Sequence, residues 1–282
     1  MPDLDQAACC EHVRRALAED IGQGDATSNA LIPSDALSNG LIVSRQPLTV
    51  AGLPLAQTAF HEICPKLKIT SLSMDGDTLE SGKPLMQVEG ATRAILSSER
   101  TALNYLQRLS GIATLTNRFF QEIAGTKARL LDTRKTTPGW RMLEKYAVAR
   151  GGGHNHRMGL HDMVLIKDNH LAALHNEPNP IATAINRARN EHPKLKIEIE
   201  ADTPEQALAA IEAGADIVLL DNMKPDVIRK IVRANGRRSR LEASGGVTLD
   251  NIRGIAETGV DFISVGALTH SAAAVDIALD FQ

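Results

Sequence analysis

Between Asp132 and His170 the chain reads DTRKTTPGWRMLEKYAVARGGGHNHRMGLHDMVLIKDNH. Into this one stretch fall Arg134, Lys135, Arg141, Lys145, Arg150, Arg157 and Lys167, with His154, His156, His161 and His170 from a total of nine histidines. A solvated surface would mix such charges with glutamate on helical spacing. Here the cations surround the run Gly151–Gly153 and the ends of apolar segments. That is how a chain assembles a pocket for an anion-rich ligand, because guanidinium forks pair with carboxylates and phosphates while ammonium groups act as compact point charges.

Further along, Lys167 closes the apolar run MVLIK, where an unpaired ammonium would be costly. Its neighbour Asp168 is a poor partner, since adjacent strand residues point to opposite faces. Glu200 and Asp221 each close an apolar run, one βα unit apart. They are candidate Mg²⁺ ligands, because magnesium takes hard oxygens and binds together with substrate phosphates; the competing reading makes them helix-capping or core-lining acids. Ser244-Gly245-Gly246 and Val265-Gly266-Ala267 follow the next two apolar runs, and their backbone amides are suited to cradling phosphate. His154-Asn155-His156 with His161 raises a different class of enzyme, a metal-dependent barrel hydrolase. Against it, Arg150 and Arg157 would repel a divalent metal, and neither His192 nor His270 is placed to complete the ligand set. A carrier or binding module is suggested only by GDTLESGKPLMQVEG (76–90), where Lys83 lies between Gly82 and Pro84 and lacks the apolar flanks of a modified lysine.

The elements that must position these residues alternate. From about residue 128, β-rich runs at 128–132, 163–167, 195–200, 216–220, 240–244 and 262–266 are separated by helical patterns such as 204–214 and 224–235. Thr203 and Thr248 are placed as N-caps, Gly214 and Gly236 as helix stops. Near-continuous apolar strands between amphipathic helices imply parallel βα units. Asp132, Lys167, Glu200, Asp221, Ser244 and Gly266 then collect at the carboxyl ends of the strands, where a βα-barrel builds its active site. A doubly wound open sheet is the alternative, without the dinucleotide fingerprint it would usually carry. The first hundred residues read as α+β, with a helix over 5–19, a strand over 40–52, antiparallel strand over 74–90 and a long helix over 92–123 that Gly111 is placed to break or kink. The expected division is an N-terminal α+β domain over 1–112 and a barrel over 113–267.

The wording of several segments resembles the quinolinate phosphoribosyltransferase family, the carboxylating nicotinate-nucleotide pyrophosphorylases of NAD synthesis. The likeness rests on DTRKTTPGWR, KYAVARGGGHNHR and LIKDNH, with ALAEDIGQGDATS, SERTALNYLQRLSGIAT, IEIEADTPEQ, IVLLDNM, LEASGGVTLDNI and GVDFISVGALTHS in order along the chain. Each motif alone is weak; the ordered set is specific. The resemblance implies an incomplete TIM-like βα-barrel, with the tail 268–282 returning to the N-terminal domain. It implies transfer of phosphoribosyl from phosphoribosyl pyrophosphate to quinolinate with loss of CO₂ and help from Mg²⁺; nicotinate or another base would be the substrate of a same-fold relative. Arg100, Arg134 and Arg157 would hold the quinolinate carboxylates with His156 nearby, although Arg100 alone reads as an exposed helix charge. Lys135 and Lys167 would serve the ribose and pyrophosphate end, His170 would add a contact to the same anion, and Thr133 would be a further substrate-binding position. Arg100 would enter a neighbouring subunit's site, making a homodimer with shared sites.

Composition bounds the rest. With 282 residues, 43% hydrophobic and 23% charged, the chain can bury two domains' worth of core. A net charge of −3 and a single tryptophan argue against nucleic-acid partners. No signal-peptide pattern opens the sequence, no run is long enough to span a membrane, and three cysteines make a poor disulfide framework. The expected compartment is the cytoplasm.

Overall fold

The two regimes of sequence pattern become two compact units in the computed structural model, which describes residues 4–282; Met1–Asp3, part of the acidic opening stretch, lie outside the described residues. The elements run α1 (Gln6–Ile21), α2 (Ala26–Leu31), β1 (Leu37–Ser44), β2 (Leu48–Thr49), α3 (Leu53–Ile63), β3 (Lys68–Ser71), β4 (Thr78–Leu79), β5 (Pro84–Ala91) and α4 (Thr92–Glu122). They continue with β6 (Arg129–Leu131), α5 (Arg141–Arg150), β7 (Val164–Ile166), α6 (Asp168–Ala173), α7 (Pro180–Glu191), β8 (Ile197–Ala201) and α8 (Pro204–Glu212). The last are β9 (Ile217–Asp221), α9 (Pro225–Asn235), β10 (Arg240–Ser244), α10 (Leu249–Ala256), β11 (Phe262–Ser264), α11 (Ala267–His270) and β12 (Ile277–Phe281).

The first unit holds the residues up to Asn117 together with Thr137–Gly152 and Ser271–Gln282. Its antiparallel sheet has the order β12-β1-β5-β3, so the carboxyl-terminal strand pairs along β1, with Ile42 opposite Leu279. The strand expected over 40–52 is split: β1 stops at Ser44, and β2 pairs with β4 in a separate ribbon. Pro47 lies in the break, where a residue without an N–H cannot continue a ladder. The segment 137–152 packs here and not with the barrel strands that flank it in sequence. Within it Glu144 is fully buried and receives Thr137 N–H at 3.2 Å, Thr137 Oγ1–H at 2.8 Å and the Arg108 guanidinium at 3.2 Å.

α4 is continuous through Gly111; the expected kink is absent. The glycine is there for a close approach. A Cβ at this position would lie 2.1 Å from the Ala273 carbonyl oxygen. The tail is held along the helix at that point: Val275 N–H donates to the Gln107 carbonyl at 3.1 Å, and Gln107 Nε2 donates to the Ile277 carbonyl at 2.8 Å.

The second unit, Arg118–Thr136 with Gly153–His270, contains a parallel sheet of order β6-β11-β10-β9-β8-β7. A single parallel bridge from Leu131 to His154 extends it past β6, and β6 and β7 do not pair, so the barrel is incomplete. The fold class is therefore α/β, an incomplete TIM-like barrel accompanied by an α+β domain. Ile197, Ile199, Val218, Leu220, Leu241 and Ala243 are buried on the strand faces opposite the inward-pointing ones. Thr203 and Thr248 close capping boxes on α8 and α10, and Gly236 ends α9 at φ 56°. Among the described residues no helix is long and apolar enough to cross a membrane.

Gly111→Ala should lower the melting temperature through a loss of about 1–3 kcal/mol, the usual cost of forcing a methyl into filled space. Gly254→Ala on α10, where a Cβ meets nothing within 4 Å, should be neutral or stabilising. Calorimetry on both checks this; an undisturbed Gly111→Ala would mean that the tail does not lie against the helix.

Candidate active site

Parallel strands that show one face to the barrel interior deliver residues there at every second position. β7 supplies Leu165 and, just past its end, Lys167; β8 supplies Glu198 and Glu200; β9 supplies Leu219 and Asp221; β10 supplies Glu242 and Ser244; β11 supplies Ser264. With Thr133, Arg134 and Lys135 after β6, and His156 and Arg157 after the His154 bridge, most of these line a cavity of about 370 Å³ at the carboxyl ends of the strands.

One wall is cationic. Arg134 has a buried Nε without a hydrogen-bond partner. Arg157 donates from Nη1 to the Met163 carbonyl at 3.2 Å. Burial and the nearby Arg134 charge both push the Arg157 guanidinium below its ordinary value. Two guanidiniums held close, neither in a salt bridge with a carboxylate among the described residues, are organised for an external anion. Asp132 is fully buried and shapes this wall, accepting Asn155 Nδ2–H at 2.7 Å and His156 N–H at 2.8 Å.

Another part of the lining, Glu200 and Asp221, is acidic. Carboxylate oxygens of Glu200, Asp202 and Asp221 lie within 4.8 Å of one another. Burial pushes Glu200 above the usual carboxylate range, and repulsion from Asp221, Asp168 and Asp202 adds to this despite Lys167. Lys167 Nζ stands 3.6 Å from Glu200 Oε2, so its partner is Glu200 and not the adjacent Asp168. Three mutually repelling oxygen donors suit a hard divalent cation such as Mg²⁺. Asp202 was not among the residues expected.

Below both walls lies a pair that the sequence reading passed over. Glu198 and Glu242 are fully buried, and none of their four carboxyl oxygens makes a hydrogen bond of acceptable geometry. His156 Nε2 is 2.9 Å from Glu198 Oε2 and 3.6 Å from Glu242 Oε1. His156 Nδ1 accepts the Arg157 backbone N–H at 2.8 Å, so the ring carries its proton on Nε2, facing the acids. Burial first, and then the Glu198 charge, push Glu242 up to about 8.

A second cavity, about 210 Å³, shares Thr133, Lys135, Ser244 and Ser264 with the first and continues past Gly245, Gly246, Val265, Gly266 and Ala267. At Gly245, φ is 86° and a Cβ would sit 2.3 Å from Asn222 Oδ1, so this turn demands glycine on both counts. Lys135 is fixed by its N–H to Thr133 Oγ1 at 3.1 Å and by Thr269 Oγ1–H to its carbonyl at 2.8 Å. His270, expected to be only a residue before the tail, lines this cavity.

Several expected residues fall elsewhere. His170 lines neither cavity; its Nδ1 accepts the Lys167 N–H at 2.9 Å and closes the first turn of α6. Arg100 is exposed on α4, in the first unit. Arg141, Lys145 and Arg150 belong to that unit too: Lys145 is buried, and Arg150 stacks over Tyr146 at 4.5 Å. The cation-rich stretch thus divides between two units. Neither acid-and-histidine cluster contains His154 or His161, so the HxH pair does not converge as a hydrolase site requires. A larger cavity, about 900 Å³, opens at the amino ends of the strands, but two of its cations, Lys127 and Arg240, are already paired with Asp261. Size does not make it the better site, because barrel chemistry needs the convergent, unpaired groups at the carboxyl ends.

Comparison with known proteins gives the same direction. Residues 112–280 match the quinolinate phosphoribosyl transferase C-terminal domain, and residues 25–110 match the N-terminal domain. A nicotinate-nucleotide pyrophosphorylase [carboxylating] of Mycobacterium leprae is 41% identical over 286 residues, covering 99% of each chain. A probable nicotinate-nucleotide pyrophosphorylase [carboxylating] of Bacillus subtilis is 40% identical over 263 residues, covering 93% of this chain and 89% of that one. The structure of the nicotinate-nucleotide pyrophosphorylase of Francisella tularensis superposes with a TM-score of 0.93 at 38% identity, covering 99% of this chain and 98% of that one. The chain belongs to the quinolinate phosphoribosyl transferase family.

Proposed function

We propose that the protein transfers phosphoribosyl from phosphoribosyl pyrophosphate to the ring nitrogen of quinolinate and removes the 2-carboxylate, giving nicotinate mononucleotide, pyrophosphate and CO₂. The observation that carries this reading is one cavity lined by both the Arg134–Arg157 pair and the Glu200 and Asp221 carboxylates, with Asp202 close to the latter two. The guanidiniums pair with the two quinolinate carboxylates. Lys135, Lys167, Ser244 and the glycine turns hold phosphates and ribose. Glu200 and Asp221, with Asp202, hold Mg²⁺, which when bound neutralises pyrophosphate charge. The chain's own contribution is to fix the ring nitrogen against the anomeric carbon and to place carboxylates beside the developing oxocarbenium charge. The positive ring nitrogen then stabilises the electron pair left at C2.

A homodimer with shared sites and a cytoplasmic location complete the proposal. Arg100, exposed on α4 in the first unit, supports sharing; the three cysteines are free, as a reducing compartment allows.

With Mg²⁺ and both substrates, pyrophosphate and CO₂ should appear in equal amounts; turnover of nicotinate with quinolinate untouched would refute the substrate. Arg134→Ala or Arg157→Ala should cost about 2–5 kcal/mol of quinolinate binding, with phosphoribosyl pyrophosphate binding closer to normal. Asp221→Asn should raise the Mg²⁺ requirement and lower kcat. Ligand titration beside calorimetry separates these roles from a general loss of stability, which would weaken both ligands alike. For the dimer, inactive Arg100→Ala and Lys167→Ala protomers should regain part of the activity when mixed, because a hybrid rebuilds one intact site. Verified hybrids without recovery would contradict sharing.

A further inference from the structure

Resting on the transfer-and-decarboxylation reading above, we infer that Glu242 is the acid that protonates C2 of the pyridine ring as the 2-carboxylate departs. The geometry begins with position. Glu242 lines the same cavity as Arg134, His156 and Arg157 and is fully buried, with the Ser264 hydroxyl beside it but no hydrogen bond of good geometry to either carboxyl oxygen. A structural glutamate in a barrel interior would be expected to have its oxygens satisfied.

The second observation is charge. Glu198 faces it from β8, His156 from beyond the His154 bridge, Asp132 from the end of β6 and Ser264 from β11. The same cavity is also lined by Arg134, Lys135, Arg157, Lys167, Glu200 and Asp221. The imidazole has one proton to offer this pair, on Nε2, and Glu198 lies nearer to it. Two carboxylates cannot both ionise side by side in a buried site, so the more distant one keeps its proton. Burial and Glu198 raise Glu242 to about 8, in agreement with that assignment.

The step balances. The bond between C2 and its carboxylate breaks, and the electron pair stays on C2 beside the positive ring nitrogen while neutral CO₂ leaves. The Glu242 proton moves to that pair. Glu242 is left as a carboxylate and takes a proton from water after product release, which accounts for the one proton the overall reaction consumes.

Single turnovers of the full chain with Mg²⁺, quinolinate and phosphoribosyl pyrophosphate test this, with pyrophosphate and nicotinate mononucleotide measured separately. In Glu242→Gln, pyrophosphate release should persist while nicotinate mononucleotide formation falls about a hundredfold, at the scale of a positioned general acid. The undecarboxylated mononucleotide should accumulate, and Glu242→Asp should recover part of the lost step. Equal loss of both products in a folded Glu242→Gln protein, or nicotinate mononucleotide keeping pace with pyrophosphate, would overturn the inference. Should Glu242→Gln fail to fold, the wild-type pH profile decides: the second step alone should decline as pH rises through about 8, and a flat profile refutes the assignment. A wild-type enzyme that releases no pyrophosphate from quinolinate would instead overturn the underlying reading, and this inference with it.

Discussion

Burial of both faces of a parallel strand governs this molecule. Once β8 and β10 pack Ile197, Ile199, Leu241 and Ala243 outward, the intervening glutamates have only the barrel interior to enter. Glu198 and Glu242 therefore sit fully buried at the cavity floor, next to Leu165 and Leu219, where water cannot solvate them. Ionising both would be prohibitive, and His156 offers one proton between them. The acids on the strand ends above, Glu200 and Asp221, are half-buried and remain available to a cation. One alternation thus places a fully buried pair of acids beneath a half-buried pair.

The cationic wall follows from the turns after β6 and after the His154 bridge. Asp132 ties the two together by accepting from Asn155 and from the His156 N–H. This fixes His156 against the acids and brings Arg157 close to Arg134, where burial and the Arg134 charge lower the Arg157 guanidinium from its ordinary value. Lys167 and Glu200, which both line the cavity, form an ion pair at 3.6 Å. Because Lys167 is half exposed, that pair is weak.

Much of this was legible in the residues. The six parallel strands, the Thr203 and Thr248 caps and the strand-end set of Lys167, Glu200, Asp221 and Ser244 follow from apolar runs and their punctuation. Three features were not. Gly111 looked like a helix breaker because its partner, Ala273, is remote in sequence, and a close approach leaves no local signal. Arg141, Lys145 and Arg150 looked like site cations because charge density along a chain says nothing about which unit a crossover helix joins. Glu198 and Glu242 were missed although a signal existed: a residue two positions before an inward-facing Glu200 or Ser244 must face inward as well. The eye rests on the residue that ends an apolar run and passes over the one inside it.

The proton held between Glu198 and Glu242 is the point on which the chemistry of the cavity turns, and difference infrared spectroscopy reads it directly. At neutral pH, subtracting the spectrum of Glu242→Gln from that of the wild type should leave the carbonyl band of one protonated carboxylic acid. That band should fade as pH is raised past about 8. A carboxylate band in its place at neutral pH would show both acids ionised and contradict the arrangement described.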